Sequence, residues 1–267
     1  MNGVRAALIV LVFAMAFGQS RAHAEGHSVA VTSPAPATLT AELYTPRGAG
    51  PFPTVILMHG CGGISANVKA WAIWLRHEGY AAFMLDSFSG RGIKRLCADS
   101  SQLMPRVRAA DAFAAAAYLK TLAQVDSGRI AAIGFSHGGS TLLNAAGTER
   151  QQPDLLIRAF IVFYPGCGGS TRLPGSTPVL MLLGAKDDWV PAATCQELAK
   201  SATAAGRPVT VVVYPNARHA FDAAEVRQLT IVADARGGRG ATIDYDPRAH
   251  EDAEKQVRAF LAAHLAK

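Results

Sequence analysis

A serine at the centre of a glycine-rich segment, Gly134-Phe-Ser136-His-Gly138, is the first residue that could do chemistry. The segment fits the pattern Gly-x-Ser-x-Gly and stands between a run that predicts a strand (129–134) and a run that predicts a helix (137–147). Flanking glycines allow the tight strand-to-helix turn that exposes the hydroxyl group. The helix N-terminus then directs free N–H groups towards developing negative charge. This pattern indicates nucleophilic attack by Ser136.

An aspartate and a histidine follow this serine along the chain in a suitable order. A serine is a weak nucleophile unless a histidine takes its proton and an acid orients that histidine. Asp187 and His219 each follow an apolar run that predicts a buried strand. Taken singly, Asp187 is more typical of a solvated turn and His219 of a surface histidine. Their joint arrangement predicts a catalytic triad of Ser136, Asp187 and His219, with Asp188 as the competing acid.

A second glycine-rich segment, His59-Gly-Cys-Gly-Gly63, follows the predicted strand 54–58. The intermediate of acyl transfer carries an oxyanion, which two backbone N–H groups can stabilise by about 3 kcal/mol each. We predict that the amides of Cys61 and His137 form this oxyanion hole. A phosphate-binding loop is the alternative, but no Gly-Lys-Ser/Thr sequence follows and no dinucleotide-binding spacing is present.

The loop after the predicted strand 80–85 should open on the same edge of the sheet as Ser136. We therefore expect Phe88, Arg91 and Trp189 to line a substrate pocket, with Arg91 available to bind a substrate carboxylate. Packing in the protein interior, or a surface salt bridge for Arg91, is the alternative for each of them.

The segments that must position these residues alternate between strand and helix, which predicts a parallel α/β fold. The apolar runs lack alternation, as expected of strands that helices cover on both faces. The predicted strands are 54–58, 80–85, 129–134, 158–163, 178–183 and 209–214. The predicted helices are 66–78, 108–123, 137–147, 192–204 and 250–265. Residues 28–44 alternate and predict an antiparallel lead-in, whereas residues 216–249 have no clear pattern.

Five segments of the chain, taken together and in order, resemble the dienelactone hydrolase family of the α/β-hydrolase fold. They are His59-Gly-Cys-Gly-Gly63, Gly134-Phe-Ser-His-Gly-Gly139, Phe163-Tyr-Pro-Gly-Cys167, Gly184-Ala-Lys-Asp-Asp188 and His219-Ala-Phe-Asp222. The resemblance covers about residues 38–265. It implies a mostly parallel central sheet with helices on both faces, and an ester or lactone hydrolase that uses no cofactor. The founding enzymes of the family carry a cysteine nucleophile where this chain has Ser136, which favours a more general carboxylesterase.

The first 24 residues are typical of a secretory signal peptide. Arg5 precedes an apolar stretch from Ala6 to Phe17, and Ala22-His-Ala24 supplies a small-x-small cleavage pattern. A transmembrane helix needs about 20 apolar residues, so an uncleaved membrane anchor is the weaker interpretation. We expect export to the periplasm or the medium, cleavage near Ala24 and a single domain over residues 25–267.

Composition narrows the possible partners. The 267 residues are 50% hydrophobic and 17% charged, which excludes a disordered chain. Removing residues 1–24 lowers the count of Lys and Arg from 26 to 24 against 20 acidic residues, so the formal charge falls from +6 to +4. The basic residues are scattered apart from Arg236 and Arg239, whereas a nucleic-acid protein usually shows a basic stripe. We expect a small-molecule partner and no nucleic acid, and the sequence indicates no oligomeric state.

Four cysteines in an exported protein allow three disulfide pairings. Cys61 and Cys97 lie in loops after consecutive predicted strands, and Cys167 and Cys195 follow two later strands. We therefore predict the disulfides Cys61–Cys97 and Cys167–Cys195. No short Cys-x-x-Cys or histidine spacing indicates a metal site.

The residues together predict a serine hydrolase that cleaves carboxylic esters or lactones through an acyl-enzyme. A catalytically silent, secreted binding protein on the same scaffold is one alternative, against which the intact set of serine, aspartate and histidine argues. A peptidase of the same fold is another, but it would usually need a larger lid or propeller domain to select peptides.

Overall fold

The computed structural model of the chain describes residues 25–31, 35–148, 157–168, 171–173 and 175–266. The predicted signal peptide, residues 1–24, lies outside these ranges. Within them, no helix combines the length and the apolar character needed to cross a bilayer.

Most strands of the described ranges belong to one central sheet. Its strands are β1 (Glu25–Val31), β2 (Ala37–Tyr44), β3 (Phe52–Met58), β4 (Ala81–Asp86), β5 (Val125–Phe135), β6 (Phe160–Phe163), β7 (Val179–Gly184) and β8 (Val209–Tyr214). Their spatial order is β1-β2-β4-β3-β5-β6-β7-β8. β2 runs antiparallel to β1 and β4, and all other neighbours are parallel. The predicted mostly parallel sheet with an antiparallel lead-in is confirmed.

In the ranges that the structure describes, five longer helices and one short helix accompany the sheet. They are α1 (Ala66–His77), α2 (Pro105–Leu119), α3 (His137–Thr148), α4 (Ala192–Ala204), α5 (Ala235–Gly238) and α6 (Pro247–His264). Both α2 and α6 begin three residues earlier than their apolar patterns predict. Each starts with a proline, which suits the first turn because the amide it lacks has no partner there. Asp246 caps α6 by accepting from the amides of Arg248 and Ala249.

The sheet separates two hydrophobic cores, and β3 shows how one strand serves both. Val55 and Leu57 face a core shared with α1 and α6, whereas Ile56 and Met58 face a core shared with α2, α3 and α4. All four side chains are fully buried. Burial on both faces explains why these strands are continuously apolar, and it confirms helices on both sides of the sheet.

The parallel strands end together at one edge of the sheet, where the loops that carry the predicted site residues meet. In this register Met58 pairs with Gly134, Phe135 pairs with Phe163, and Gly184 pairs with Tyr214. The residues after β3, β5, β7 and β8 therefore lie side by side. The carboxyl edge of such a sheet is the usual place for a binding site.

The segment 216–249, which lacks a clear sequence pattern, contains a two-stranded hairpin. Its strands β9 (Thr230–Val232) and β10 (Ala241–Ile243) pair antiparallel. Asp188 accepts hydrogen bonds from the amide and the hydroxyl group of Thr242 at 2.8 and 2.9 Å. His219 also forms a parallel bridge with Ile243. These bonds attach the hairpin beside the loops at the carboxyl edge.

Both predicted disulfides are present. Cys61 is bonded to Cys97, and Cys167 to Cys195. The bridges close segments of 36 and 28 positions. On the chain-entropy model each bridge contributes about 3–4 kcal/mol to stability.

Candidate active site

Ser136 occupies the turn between β5 and α3 with a backbone φ of 51°. This left-handed conformation costs a residue with a side chain about 1–3 kcal/mol. Two backbone bonds hold it, because the Ser136 amide donates to the Phe163 carbonyl and the Ser140 amide donates to the Ser136 carbonyl, both at 2.9 Å. The turn presents the hydroxyl group at the carboxyl edge of the sheet.

The two glycines of the Gly-x-Ser-x-Gly pattern are required by close backbone approaches. A Cβ atom on Gly134 would collide with the Gly138 carbonyl, and one on Gly138 would collide with the Met58 carbonyl at the end of β3. Strand, turn and helix can therefore approach this closely only because these positions carry no side chain.

His219 lies between the serine and an aspartate. Its Nε2 is 2.9 Å from Ser136 Oγ, and its Nδ1 is 2.7 Å from Asp187 Oδ2. A carboxylate only accepts, so Nδ1 carries the proton and Nε2 is free to accept from the serine. Asp187 and His219 are only 6% and 3% exposed, which strengthens their interaction relative to water.

Asp187 and its neighbour Asp188 have different partners. Asp187 Oδ1 accepts from the amides of Trp189 and Val190 at 2.9 Å, so its other oxygen is directed at His219. Asp188 instead binds Thr242 in β10. The carboxylate of Asp188, the competing acid, is therefore hydrogen-bonded to the hairpin and not to His219.

The Cys61 amide belongs to the loop after β3, where a Cβ atom on Gly60 would lie 3.6 Å from Ser136 Cβ, and the His137 amide follows Ser136 directly in the chain. Within the described residues neither amide donates a hydrogen bond. His137 is also the first residue of α3, where the helix dipole favours negative charge. Both amides are thus available to an acceptor, and their role as an oxyanion hole stays a prediction.

Two of the three predicted pocket residues lie inside the protein. Arg91 donates to both oxygens of Asp111 at 2.9 and 2.7 Å, and it also donates to the carbonyl groups of Ser87 and Ala35. Phe88 is 2% exposed. The prediction for both residues is wrong because Arg91 is held by Asp111 in α2 and Phe88 packs against the His59 ring, so neither side chain lines a cavity at Ser136.

Trp189, the third predicted pocket residue, does line the site. Its ring lies 4.7 Å from the His219 ring, and the Tyr164 ring lies 4.6 Å from the same imidazole. The buried Tyr164 hydroxyl group donates to Asp222, which also accepts from Trp71 Nε1 at 2.8 Å. No sequence pattern singled out Tyr164 as a site residue, although it stands in the segment Phe163-Tyr-Pro-Gly-Cys167.

Two cavities meet at Ser136. The larger one measures about 590 Å³, and its lining includes three arginines and no acidic residue: Arg106, Arg236 and Arg239. The smaller one measures about 170 Å³ and is mainly apolar, with Phe135, Tyr164, Val232 and Ile243 among its lining residues. Cys61, Cys97, Ser136 and Trp189 line both.

A buried polar cluster behind the site was not anticipated from the sequence. Arg108 in α2 is fully buried, and its Nη1 donates to the His59 carbonyl at 2.9 Å and to His137 Nδ1 at 3.0 Å. Burial, followed by the charge of Arg108, lowers the pKa of both His59 and His137 to about 3. Both imidazoles are therefore neutral at ordinary pH. Among the described residues no group of three or more His, Cys, Asp or Glu side chains could hold a metal ion.

Known proteins resemble this chain along most of its length. The model of the dienelactone hydrolase family matches residues 39–265. A Methylorubrum extorquens protein, provisionally named carboxymethylenebutenolidase, is 28% identical over 198 residues, which cover 67% of this chain and 66% of that protein. A Bradyrhizobium protein, provisionally named 2-oxo-3-(5-oxofuran-2-ylidene)propanoate lactonase, is 27% identical over 199 residues, which cover 68% of this chain and 78% of that protein.

Solved structures share the fold. A provisionally named dienelactone hydrolase from Klebsiella pneumoniae has a TM-score of 0.68 at 22% identity and covers 90% of this chain and 99% of its own. A dienelactone hydrolase-like promiscuous phosphotriesterase from metagenomic libraries has a TM-score of 0.70 at 23% identity, covering 91% of this chain and 99% of its own. The sheet order and flanking helices are accordingly those of the α/β-hydrolase fold. The chain belongs to the dienelactone hydrolase family and is a hydrolase of the ester or lactone type.

Proposed function

We propose that this hydrolase cleaves carboxylic esters or lactones through an acyl-enzyme formed on Ser136. The observation that carries the proposal is the pair of hydrogen bonds from Asp187 through His219 to Ser136, at 2.7 and 2.9 Å. Ser136 lines both cavities, so a carbonyl carbon can reach the serine from either one.

Acylation begins when His219 Nε2 takes the proton of the Ser136 hydroxyl group as Oγ bonds to the carbonyl carbon. The π electrons of the carbonyl group move to its oxygen, which then accepts from the amides of Cys61 and His137. Asp187 stabilises the imidazolium that forms. When the tetrahedral intermediate collapses, the C–O bond to the alcohol breaks and His219 returns the proton to the leaving oxygen. In a lactone that oxygen stays attached to the acyl chain.

Deacylation repeats these steps with water. His219 takes a proton from a water molecule, whose oxygen attacks the acyl carbon, and the same two amides hold the new oxyanion. Collapse breaks the bond to Ser136 Oγ, and His219 returns a proton to it. The free acid leaves, and the enzyme is restored without any other reagent.

We propose that the substrate carries a carboxylate. Both relatives described above have names that refer to lactones with a carboxylate group. In this chain the larger cavity contains Arg106, Arg236 and Arg239, none of which pairs with a carboxylate among the described residues. Arginine side chains without ionic partners favour an anionic ligand. These arginines would bind the substrate carboxylate, which is the role predicted from the sequence for Arg91.

We also propose that residues 1–24 are removed on export and that residues 25–267 fold as one domain. The two disulfides support this proposal, because such bonds persist in oxidising compartments outside the cytosol. The N-terminal residue of the protein recovered from the periplasm or the medium tests it. A first residue near Glu25 is expected, and an intact N-terminus on the exported protein would contradict it.

Hydrolysis of p-nitrophenyl acetate tests the proposed reaction. We expect turnover by the wild type and a loss of about 10³-fold or more in kcat for Ser136→Ala. Equal rates for the two proteins would exclude the serine mechanism. A silent binding protein would give no turnover in either form, and a peptidase would also cleave a matched peptide anilide, which the proposed esterase leaves intact.

A further inference from the structure

Arg108 connects two backbone segments that come from different strands. One acceptor of its Nη1 is the carbonyl group of His59, at the end of β3, and the other is Nδ1 of His137, at the start of α3. The first segment leads to the Cys61 amide, and the second contains the His137 amide. A single buried guanidinium group therefore contacts a residue in each of the two segments that supply the predicted oxyanion hole.

Burial of the Arg108 guanidinium group costs folding free energy, which is explained if the group positions the residues that it contacts. Arg108 has no exposed surface, and among the described residues no carboxylate forms an ion pair with it. The nearby Asp111 pairs with Arg91 instead. A buried charge without an ionic partner stabilises a fold less than an apolar side chain of similar volume. Global stability is thus a poor explanation for an arginine at this position.

His59 completes the arrangement on the Cys61 side. Its Nε2 accepts from the Ser87 amide at 3.2 Å, so its proton is on Nδ1, which donates to the Gly60 carbonyl at 2.8 Å. The Gly60 carbonyl and the Cys61 N–H belong to the same peptide unit. The bond from His59 therefore fixes the plane of that peptide and polarises the N–H group of the predicted oxyanion hole.

We propose that Arg108 and His59 are positioning residues, which together hold the Gly60–Cys61 peptide and the His137 amide in the geometry of an oxyanion hole. This inference rests on the proposed function. Neither side chain lines the two cavities at Ser136, so both act through the backbone rather than on the substrate. From the outer side, the loop is held by the Cys61–Cys97 disulfide and by the Leu96 amide, which donates to the Cys61 carbonyl at 2.9 Å.

Loss of this support should lower the rate of the chemical step and leave substrate binding unchanged. An oxyanion forms only in the transition state and the tetrahedral intermediate, so misplaced donors lower kcat rather than raise KM. Removing one oxyanion donor outright costs about 10²–10³-fold in kcat. Misplacing the donors should cost less, about 10–100-fold.

The first experiment compares Arg108→Met with Arg129→Met. Arg129 is a partly buried arginine in β5, paired with Asp126 and remote from the carboxyl edge. Titration with a fluorophosphonate gives the concentration of active sites, and kcat is expressed per active site. We expect Arg108→Met to lose about 10–100-fold in kcat with KM within about twofold, and to bind phenylboronic acid, which forms a tetrahedral adduct, more weakly by a similar factor. Arg129→Met should retain both values.

A second pair of variants addresses the case in which Arg108→Met does not fold. His59→Asn places an amide N–H near the position of Nδ1 and can still donate to Gly60, whereas His59→Gln retains only the acceptor for Ser87. We expect kcat of His59→Asn to exceed that of His59→Gln by about tenfold at similar KM. Equal kcat values for this pair, or a wild-type kcat per active site in a folded Arg108→Met, would overturn the inference. If Ser136→Ala abolishes hydrolysis while these variants keep wild-type kcat, the positioning role fails alone; if Ser136→Ala keeps wild-type turnover, the proposed function fails as well.

Discussion

His219 Nε2 lies 2.9 Å from Ser136 Oγ, although the two residues are 83 positions apart in the chain. The contact exists because β5 and β8 end at the same edge of the sheet and each is followed directly by a tight turn. Ser136 has a φ of 51°, and Ala220, next to the histidine, has a φ of 57°. Ser136 thus stands in a strained turn directly after β5, and His219 directly precedes a strained residue in the loop after β8.

Asp187 and Asp188 provide a matched pair for testing the triad. Asp187→Asn leaves the geometry largely intact but offers His219 an amide, which favours the wrong tautomer, so we expect kcat to fall by about 10³–10⁴-fold. Asp188→Asn weakens two bonds to Thr242 in the hairpin, and we expect a change of less than about tenfold, mainly in KM. Steady-state kinetics of both variants test this expectation. A larger loss of kcat in Asp188→Asn than in Asp187→Asn would assign the acid of the triad to Asp188.

The two disulfides should differ in their effect on activity. Cys61→Ala/Cys97→Ala frees the loop that carries one predicted oxyanion donor but keeps its amide, so we expect a loss of about tenfold in kcat. Cys167→Ala/Cys195→Ala removes a bridge of similar span and should lower stability by a comparable amount, about 3–4 kcal/mol on the chain-entropy model, with a smaller loss of kcat. Urea unfolding and kinetics on both variants test the difference. Identical kcat losses would show that the Cys61 bridge has no special role in the site.

Stability should fall as the pH decreases below about 6.5. The pKa of His59 and that of His137 are both lowered to about 3 in the folded protein by burial and, secondly, by Arg108. In the unfolded chain the same groups take up protons near pH 6.5. Between these values the unfolded state binds more protons, so each histidine should cost about 1.5 kcal/mol of stability between pH 6.5 and pH 5.

Urea unfolding at both pH values measures this loss. His59→Asn cannot titrate in this range and should remove about half of the decrease contributed by the pair. A free energy of unfolding that is constant between pH 5 and pH 6.5 in the wild type would contradict the neutral, buried state of the two imidazoles.

The three arginines of the larger cavity should select anionic substrates. For Arg236→Gln and Arg239→Gln we expect KM for p-nitrophenyl hemisuccinate to rise by about 3–10-fold, and KM for neutral p-nitrophenyl butyrate to change by less than about twofold. Added salt should reduce the wild-type preference for the anion, since exposed charges are screened. Arg248→Gln, an exposed arginine at the start of α6, serves as the control. Equal effects on both substrates would remove the arginines from substrate recognition.

The meeting of Ser136, Asp187 and His219 could be predicted from the sequence because each follows its own apolar strand, and the order of strands fixes which loops meet. The turn at Ser136 could also be predicted, because glycines flank it. In the structure these glycines lie too close to neighbouring carbonyl groups to carry a side chain. The disulfide pairs follow from the same logic, since Cys61, Cys97 and Cys167 lie in loops and Cys195 lies at the start of α4, directly after the loop that follows β7.

The contacts of Arg91 and Arg108 could not be predicted, because each depends on how α2 packs against the sheet. Arg91 pairs with Asp111, 20 positions away in α2, and no local pattern connects them. Arg108 stands at the start of an alanine-rich run, where an arginine is usually solvated. The hairpin of β9 and β10 was also missed, since strands of three residues are too short to show a period.

The central claim is that Ser136 is the nucleophile. Peptide mass spectrometry of the native protein after reaction with a fluorophosphonate probe tests it most directly, because such probes form a stable adduct with an activated serine oxygen. The account predicts a single labelled peptide with the adduct on Ser136, and no label when His219→Ala removes the base. An unmodified Ser136 in protein that hydrolyses esters, or a label on another residue that accounts for the lost activity, would contradict it.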